Sequence, residues 1–569
     1  MIIEKSFDNK EIIKLEIGSR KVYLGSKYNM TREVEKFKNA LSQINKHYQV
    51  IVFGAAGGTW ISEVQEEFKE REVLFVEPLD ELKEQLSKNI SEFNNIQVIS
   101  LESDNFQTDL KKAINKRFVQ FLVFSNYDLI FPKEGYDLKN GIKDDITDKT
   151  INENTKVVFS KDWFKNYLKN LPVVTRSERL DKYKSIFSKK PAIIVSAGPS
   201  LEKNVQLLKG NEDKFIIITG IRTLSTLKKE GIKADFACVI DGSEAMYNVS
   251  KDALNEETPL FFSESANYKI MREYKGKKLY FTSPNYIDLN IKLGNFSTDL
   301  VYQGGSVAHS CLAIAEYFDC DPIVFIGQDL AYTNNQIHSK NATIKGEQLK
   351  ADNFDFYVKD IYGNDVPTTY SLDSFRKNFE DFIKCYNERT YINATEGGAN
   401  IEGTLIKTLK EVIDESNSTI DKSCIYTYDR PDINTEIMLN ELKNNFKELL
   451  KLKRFAKEAI LENDNLVHNY STNNKRFKKG LERLDYIDNL YKEKKDQFLL
   501  INSLFAPIIK EIDVQFYDEK VGNYESELEH VKFIAEKGKS LYNNVEECID
   551  FAAPYINDAI KALEGIISE

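Results

Sequence analysis

The sequence predicts an α/β protein with a helical carboxyl-terminal part, and three observations lead there. Short apolar, β-branched runs recur as far as Ile326, each ending in small or polar residues as buried parallel strands do. Amphipathic stretches such as Leu201–Lys209 and Thr223–Glu230 separate several of them. Beyond Asp432 the composition turns to Leu, Lys, Glu and Asn. Apolar residues there fall at helical spacing (Leu439, Leu442, Phe446, Leu449, Leu450, Phe455), and proline is absent until Pro507 and Pro554.

In chain order, Tyr48–Phe53 is the first clear strand and ends in Gly54-Ala55-Ala56-Gly57-Gly58. Val73–Val76 follows and closes on Glu77-Pro78; Ile96–Ser100 and Phe118–Phe124 complete the βαβ rhythm of a doubly wound sheet. The polar stretch Lys139–Asn154 reads as a loop or a boundary. A second set of strands is expected at Ala192–Val195, Phe215–Ile218, Phe236–Ile240, Pro259–Phe262, Lys278–Thr282 and Ile323–Ile326. These make one domain with a mostly parallel sheet. The expected division is an amino-terminal α/β domain over 1–180, a central domain over 181–430 and an all-α domain over 431–569.

Composition narrows the function classes. A formal net charge of -11 argues against broad attraction to nucleic acid or anionic membranes, so an anionic substrate needs a local site. The first residues carry scattered charges without an apolar core, and no run of about 18 apolar residues occurs. Neither a secretory signal nor a membrane span is therefore expected. Cys238, Cys311, Cys320, Cys385, Cys424 and Cys548 lack C-x-x-C spacing and read as reduced thiols, which points to the cytoplasm.

Ligands of open parallel sheets bind beyond the carboxyl ends of the strands. There the chain places Ser196-Ala197-Gly198-Pro199-Ser200, with Gly198 allowing close backbone approach and Ser200 able to cap the following helix. Asp241-Gly242-Ser243-Glu244 follows the third central strand; a carboxylate there suits a ribose hydroxyl or a metal. Gly304-Gly305-Ser306 precedes a helical stretch over Val307–Phe318. Gly327-Gln328-Asp329 follows Ile323–Ile326, with Tyr332 and His338 beyond. His309, in the first turn of a helix whose dipole disfavours its charged form, is expected to pack or hydrogen-bond. Asp319-Cys320-Asp321 precedes its strand and reads as a turn at the opposite edge.

In this order, PAIIVSAGPSLEKN, GIKADFACVIDGSE, GGSVAHSCLAIAEYF and PIVFIGQDLAYT resemble the motility accessory factor family. The resemblance implies a Rossmann-like centre similar to bacterial sialyltransferases, an amino-terminal α/β domain and a carboxyl-terminal helical domain. It also implies transfer of a nonulosonic acid (pseudaminic or legionaminic type) to serine or threonine of flagellin. The stretch running on to His338-Ser339-Lys340-Asn341 is similar to sialyltransferases that use CMP-sialic acid, where a histidine so placed is the catalytic base. Where those enzymes have an asparagine after the second strand, this chain reads Thr219-Gly220-Ile221-Arg222.

The chemistry so implied gives His338 the proton of the acceptor hydroxyl and lets Tyr332 donate to the leaving phosphate. Ser196, Gly198, Pro199, Ser200, Asp241, Gly304, Gly305 and Ser306 would hold the nucleotide; Gln328, Asp329 and Glu264 would line the donor and acceptor pocket. No cofactor is required beyond the CMP-linked donor and no metal is predicted, although Asp241 and Asp329 leave Mg²⁺ open. The helical tail would recognise flagellin through a groove between helices. Three rival readings remain. Gly54–Gly58 with Glu77 has the spacing of an S-adenosylmethionine or dinucleotide site but not a clean G-x-G-x-x-G. The centre also suits a pterin pyrophosphokinase, and a non-catalytic flagellin adaptor or chaperone would keep the same fold.

Overall fold

The computed structural model describes all residues except 19, 47, 70, 117, 334–353, 417–418, 428–432, 494–497, 517–523 and 525. Two compact units emerge, Met1–Thr155 and Lys156–Glu569. In the first, an antiparallel sheet of β1 (Ile2–Lys5), β2 (Glu11–Ile17) and β3 (Arg20–Leu24) precedes helix α1 (Met30–Ser42). Then come β4 (Gln49–Phe53), β5 (Val73–Glu77), helix α2 (Asp80–Ile90), β6 (Ile96–Ser100), helix α3 (Phe106–Ala113) and β7 (Val119–Val123). These four strands are all parallel in the order β6-β5-β4-β7, so the chain reverses direction across the sheet beside β4.

The polar stretch Lys139–Asn154 is not a loop. It lies inside helix α4 (Pro132–Val174), and the boundary between the units falls within that helix. Leu138 and Ile142 are buried and Ile146 packs beside them, a stripe one residue wide at every fourth position. A stripe that narrow is enough to seat a helix while leaving its composition almost wholly polar.

The second unit holds a nine-stranded sheet in the order β18-β17-β14-β9-β10-β11-β12-β13-β8. Its strands are β8 (Glu178–Arg179), β9 (Ala192–Val195), β10 (Ile216–Gly220), β11 (Phe236–Val239), β12 (Leu260–Ser263), β13 (Lys278–Phe281), β14 (Ile323–Ile326), β17 (Tyr391–Asn393) and β18 (Leu405–Ile406). Every neighbouring pair is parallel. The hairpin of β15 (Phe356–Lys359) and β16 (Asp365–Thr368) stands apart as its own two-stranded sheet. Alternate residues of β9 face opposite cores: Ile193 and Val195 join one cluster, Ala192 and Ile194 the other.

This alternation separates the connections. Leu201, Val205 and Leu208, between β9 and β10, pack on the first face with helix α5 (Ile221–Glu230). Helix α6 (Val307–Tyr317) and helix α7 (Tyr370–Cys385), the latter between β14 and β17, pack on the second through Leu312, Ile314, Phe379 and Phe382. Chain order therefore switches between β9 and β14, the place where doubly wound sheets open a ligand crevice. The expected helical tail forms as α8 (Thr435–Thr472), α9 (Asn474–Glu493), α10 (Leu499–Gln515) and α11 (Glu527–Ser568). Its Leu442, Leu449, Ile549 and Ile556 share one core with Tyr167 of α4 and Ile217 of β10. Among the described residues no helix is long and apolar enough to cross a membrane.

Candidate active site

At the switch point the loops after β9 and β14 are hydrogen-bonded to each other along their length. Ser196 N donates to Ile326 O at 2.9 Å and Gly198 N to Gly327 O at 2.8 Å. The Ser196 hydroxyl donates to Gln328 Oε1. Ser200 gives Asp329 both its hydroxyl, at 2.6 Å to Oδ1, and its amide, at 3.2 Å to Oδ2. Asp329 is 2% exposed, and burial raises its carboxyl above the ordinary range while the Ser200 bonds oppose that shift. Both glycines are required by space. A Cβ on Gly198 would lie 2.1 Å from Asp329 Oδ1, and one on Gly327 would lie 2.3 Å from Ser196 O.

Ser200 does not cap a helix. Its hydroxyl goes to the stronger, ionisable acceptor, and the segment after it is one α-turn, Leu201–Asn204, followed by the 3-10 turn Val205–Leu208. The anion-attracting helix end expected there is thus absent. Pro199 lies within the same pinned turn.

The loop after β17 closes the third side, and sequence reasoning missed it. Ala399 N donates to Asp329 O at 2.7 Å, and a Cβ on Gly398 would meet that carbonyl at 2.3 Å. Lys203 Nζ donates to Glu396 O at 2.7 Å and Asn204 Nδ2 to Ala394 O at 2.8 Å, tying this loop to the turn after Ser200. Thr395 Oγ1 and Asn393 Nδ2 are buried there without hydrogen-bond partners. The signal was present, since Ala394-Thr395-Glu396-Gly397-Gly398 follows an apolar run just as Ser196–Ser200 does. The hairpin stands on these loops: Tyr332 N donates to Pro367 O at 2.9 Å and Ile361 N to Gly398 O at 3.3 Å. Tyr332 itself is 8% exposed, and burial raises its phenol.

Gly304-Gly305-Ser306 reaches the same edge. Ser306 caps α6 by accepting from Ala308 N, and Val307 fills the space over Gly220, the last residue of β10, where a Cβ would lie 2.9 Å away. His309 behind them is fully buried, stacks on Phe379 at 4.1 Å and donates from Nε2 to Phe375 O at 3.0 Å. Burial holds it neutral, its pKa lowered to about 4, so it packs and hydrogen-bonds as expected.

Asp241 stands at the same edge, two strands from β9 and thus about 10 Å across the sheet. Its carboxylate is exposed and accepts from Ser243 N at 2.8 Å; Ser243 is the residue that caps the next helix. Glu264 joins none of these loops through its carboxylate. It is fully buried three strands from β9, accepting from Ser283 N at 3.0 Å and Asn290 Nδ2 at 3.0 Å, and burial pushes it up to about 7. Asp319 lies before β14, at the opposite edge, paired with Arg389 at 2.8 Å. No group of three or more His, Cys, Asp or Glu placed to hold a metal occurs among the described residues. His338, with Ser339, Lys340 and Asn341, lies outside the described residues.

The rival site in the first unit is filled from within. Glu77 and Tyr127 are fully buried. Ala55 N donates to Glu77 Oε1 at 2.8 Å; the Tyr127 hydroxyl accepts from Ala56 N at 2.9 Å and donates to the same Glu77 oxygen at 3.4 Å. A protein side chain therefore makes the contacts that a ribose would make in a dinucleotide site. Burial pushes Glu77 from 4.5 up to about 8. The folded chain keeps that proton where the unfolded chain has released it, so this group removes stability as pH rises from 4.5 to about 8. Glu77→Gln is expected to gain roughly 2 kcal/mol relative to wild type between pH 6 and pH 8.5. Urea unfolding at the two pH values measures it, and parallel behaviour of the two proteins would contradict the buried proton.

The fold and this edge define a doubly wound parallel-sheet protein with its polar loops gathered at the switch point. Residues 165–335 match the family described as 6-hydroxymethylpterin diphosphokinase MptE-like. A MAf glycosyltransferase from Magnetospirillum magneticum AMB-1 has a similar structure over 100% of this chain and 95% of its own, with a TM-score of 0.58 at 14% sequence identity. The chain thus has the fold of a Maf glycosyltransferase along its whole length, as the motif resemblance implied. No curated protein matches the sequence.

Proposed function

We propose that the chain is a glycosyltransferase that moves a nonulosonic acid from a CMP-linked donor to serine or threonine of flagellin, in the cytoplasm and without a required cofactor. The observation that carries the reading is the convergence of Ser196–Ser200, Gln328–Asp329, Thr395–Gly398 and Ser306 on one sheet edge, in a fold shared throughout with a glycosyltransferase. In such a transfer the donor carries its own leaving group. Catalysis needs donors aimed at the departing phosphate and a base beside the attacking hydroxyl. The pinned loop Ser196–Ser200 shapes the floor of the nucleotide site and the Gly304–Ser306 junction serves the nucleotide, Asp241 the ribose, and Tyr332 the leaving phosphate. His338 takes the hydroxyl proton. Flagellin docks on the helical tail.

The assay incubates the purified chain with CMP-pseudaminic or CMP-legionaminic acid and flagellin, and follows the mass of flagellin and the release of CMP. His338→Ala is expected to lower transfer by about 10²–10⁴-fold with the fold intact. Near-normal transfer by that variant would remove the base assignment, and no transfer to flagellin by wild type would remove the acceptor. The match of residues 165–335 favours one second reading, pyrophosphate transfer from ATP to a pterin. AMP release dependent on a hydroxymethylpterin would select it.

A further inference from the structure

A chain of formal net charge -11 repels an acidic protein as a whole, so an acidic partner needs a local row of cations. Helix α4 carries one. Lys161, Lys165 and Lys169 recur at every fourth position, which sets them on one face in a line about 12 Å long. We propose that this row docks an acidic segment of the protein acceptor; the inference rests on the protein-glycosylating reading above and names the surface and its chemistry. Each ammonium is held over aromatic carbon. Lys165 and Lys169 Nζ lie 5.4 Å and 4.5 Å from the centroid of one ring, that of Tyr268. Lys169 is also 5.8 Å from the ring of Tyr555, and Lys161 is 5.5 Å from that of Phe551, both on α11. None of the three forms an ion pair among the described residues, whereas Lys269, next to Tyr268, is paired with Glu244 at 2.8 Å. The rings fix these long side chains without neutralising them, so three positive charges face a partner.

Position agrees with charge. Asn166 and Asn170, on the same turns of α4, are buried and fasten the helix to the loops after β11 and β12. Asn166 Nδ2 donates to Gly242 O at 3.0 Å, and Asn170 Nδ2 donates to Ala266 O at 2.7 Å. Lys165 and Lys169 thereby stand at the carboxyl edge of the sheet, beside the loop of Asp241. Through Phe551 and Tyr555 the row continues onto the helical tail. It joins the two places that a protein acceptor has to reach. Its length also selects the occupant. Successive lysines are about 6 Å apart along the helix axis. Carboxylates one helical turn apart, or about two residues apart in an extended segment, match that interval. A single small anion would engage one end and leave the remainder unmatched.

The test titrates the full-length protein with a fluorescent glutamate-rich peptide at low salt. Wild type should bind it and release it as salt rises. The double variant Lys165→Glu with Lys169→Glu should bind about tenfold more weakly, and arginine at both positions should keep the affinity. If the double change lowers the melting temperature, the exposed Lys161→Glu takes its place, with about threefold weakening expected. Equal binding by wild type and the glutamate variants, or no binding by wild type, overturns the proposal. Wild type that sediments with phosphatidylserine vesicles while ignoring the peptide assigns the row to a membrane and overturns it too. Flagellin is then added as competitor: displacement of the peptide supports docking of that acceptor on the row. A peptide that binds and is not displaced sinks flagellin as the acceptor and leaves the row as an acidic docking surface.

Discussion

Gly198→Ala is expected to be damaging at the carboxyl edge, lowering both stability and nucleotide binding. The new Cβ would lie 2.1 Å from Asp329 Oδ1 and 2.4 Å from Gly327 O. The second atom is backbone and already accepts the Gly198 amide at 2.8 Å, so relief requires the two loops to separate. Overpacking of this kind costs about 1–3 kcal/mol. Separation also frees Ser200 from Asp329, leaving a nearly buried carboxyl unpaired for about another 1–3 kcal/mol. Gly141→Ala is the control, because a Cβ there meets nothing within 4 Å. Thermal melting with and without nucleotide measures both consequences; a Gly198→Ala protein that melts and binds like wild type would show that the loops are not pinned as described.

Tyr127→Ala is expected to destabilise the first unit by about 3–5 kcal/mol, the ordinary cost of deleting a fully buried aromatic side chain. The ring fills the space over Gly54, where a Cβ would come within 2.1 Å, and stands edge-on to Phe53 at 5.7 Å. Its loss opens a void and strips the Ala56 amide of its acceptor. Tyr127→Phe keeps the ring and should cost only about 1–3 kcal/mol, for the hydrogen bonds. Urea unfolding ranks the two variants, and equal effects would mean that the hydroxyl, not the ring, holds the loop. Nucleotide binding by the second unit should survive both changes.

Much of this architecture was legible in the residues, for a physical reason. A parallel strand buried on both faces must be apolar throughout, so Ala192–Val195 and Ile323–Ile326 announce themselves and are found with those bounds. Strands of two or three residues carry no pattern: Glu178–Arg179, Tyr391–Asn393 and Leu405–Ile406 were all missed. The loop after Tyr391–Asn393 was lost with its strand. Single loops of the site were visible as small residues after apolar runs. The bonds between them were not, since Ser200 and Asp329 lie 129 residues apart and no local spacing encodes such a pair. Glu264 shows the converse: as a carboxylate past a strand end it looks like Asp241, and only its enclosure by Ser283 and Asn290 distinguishes it.

The two outermost strands of the large sheet, Glu178–Arg179 and Leu405–Ile406, are the shortest it contains. Neither margin offers a row of open amides and carbonyls long enough to template a further strand. Self-association by lateral extension, the route to fibrous aggregates, is thereby closed at both ends. A partner that meets this sheet is therefore recognised through side chains rather than by strand addition.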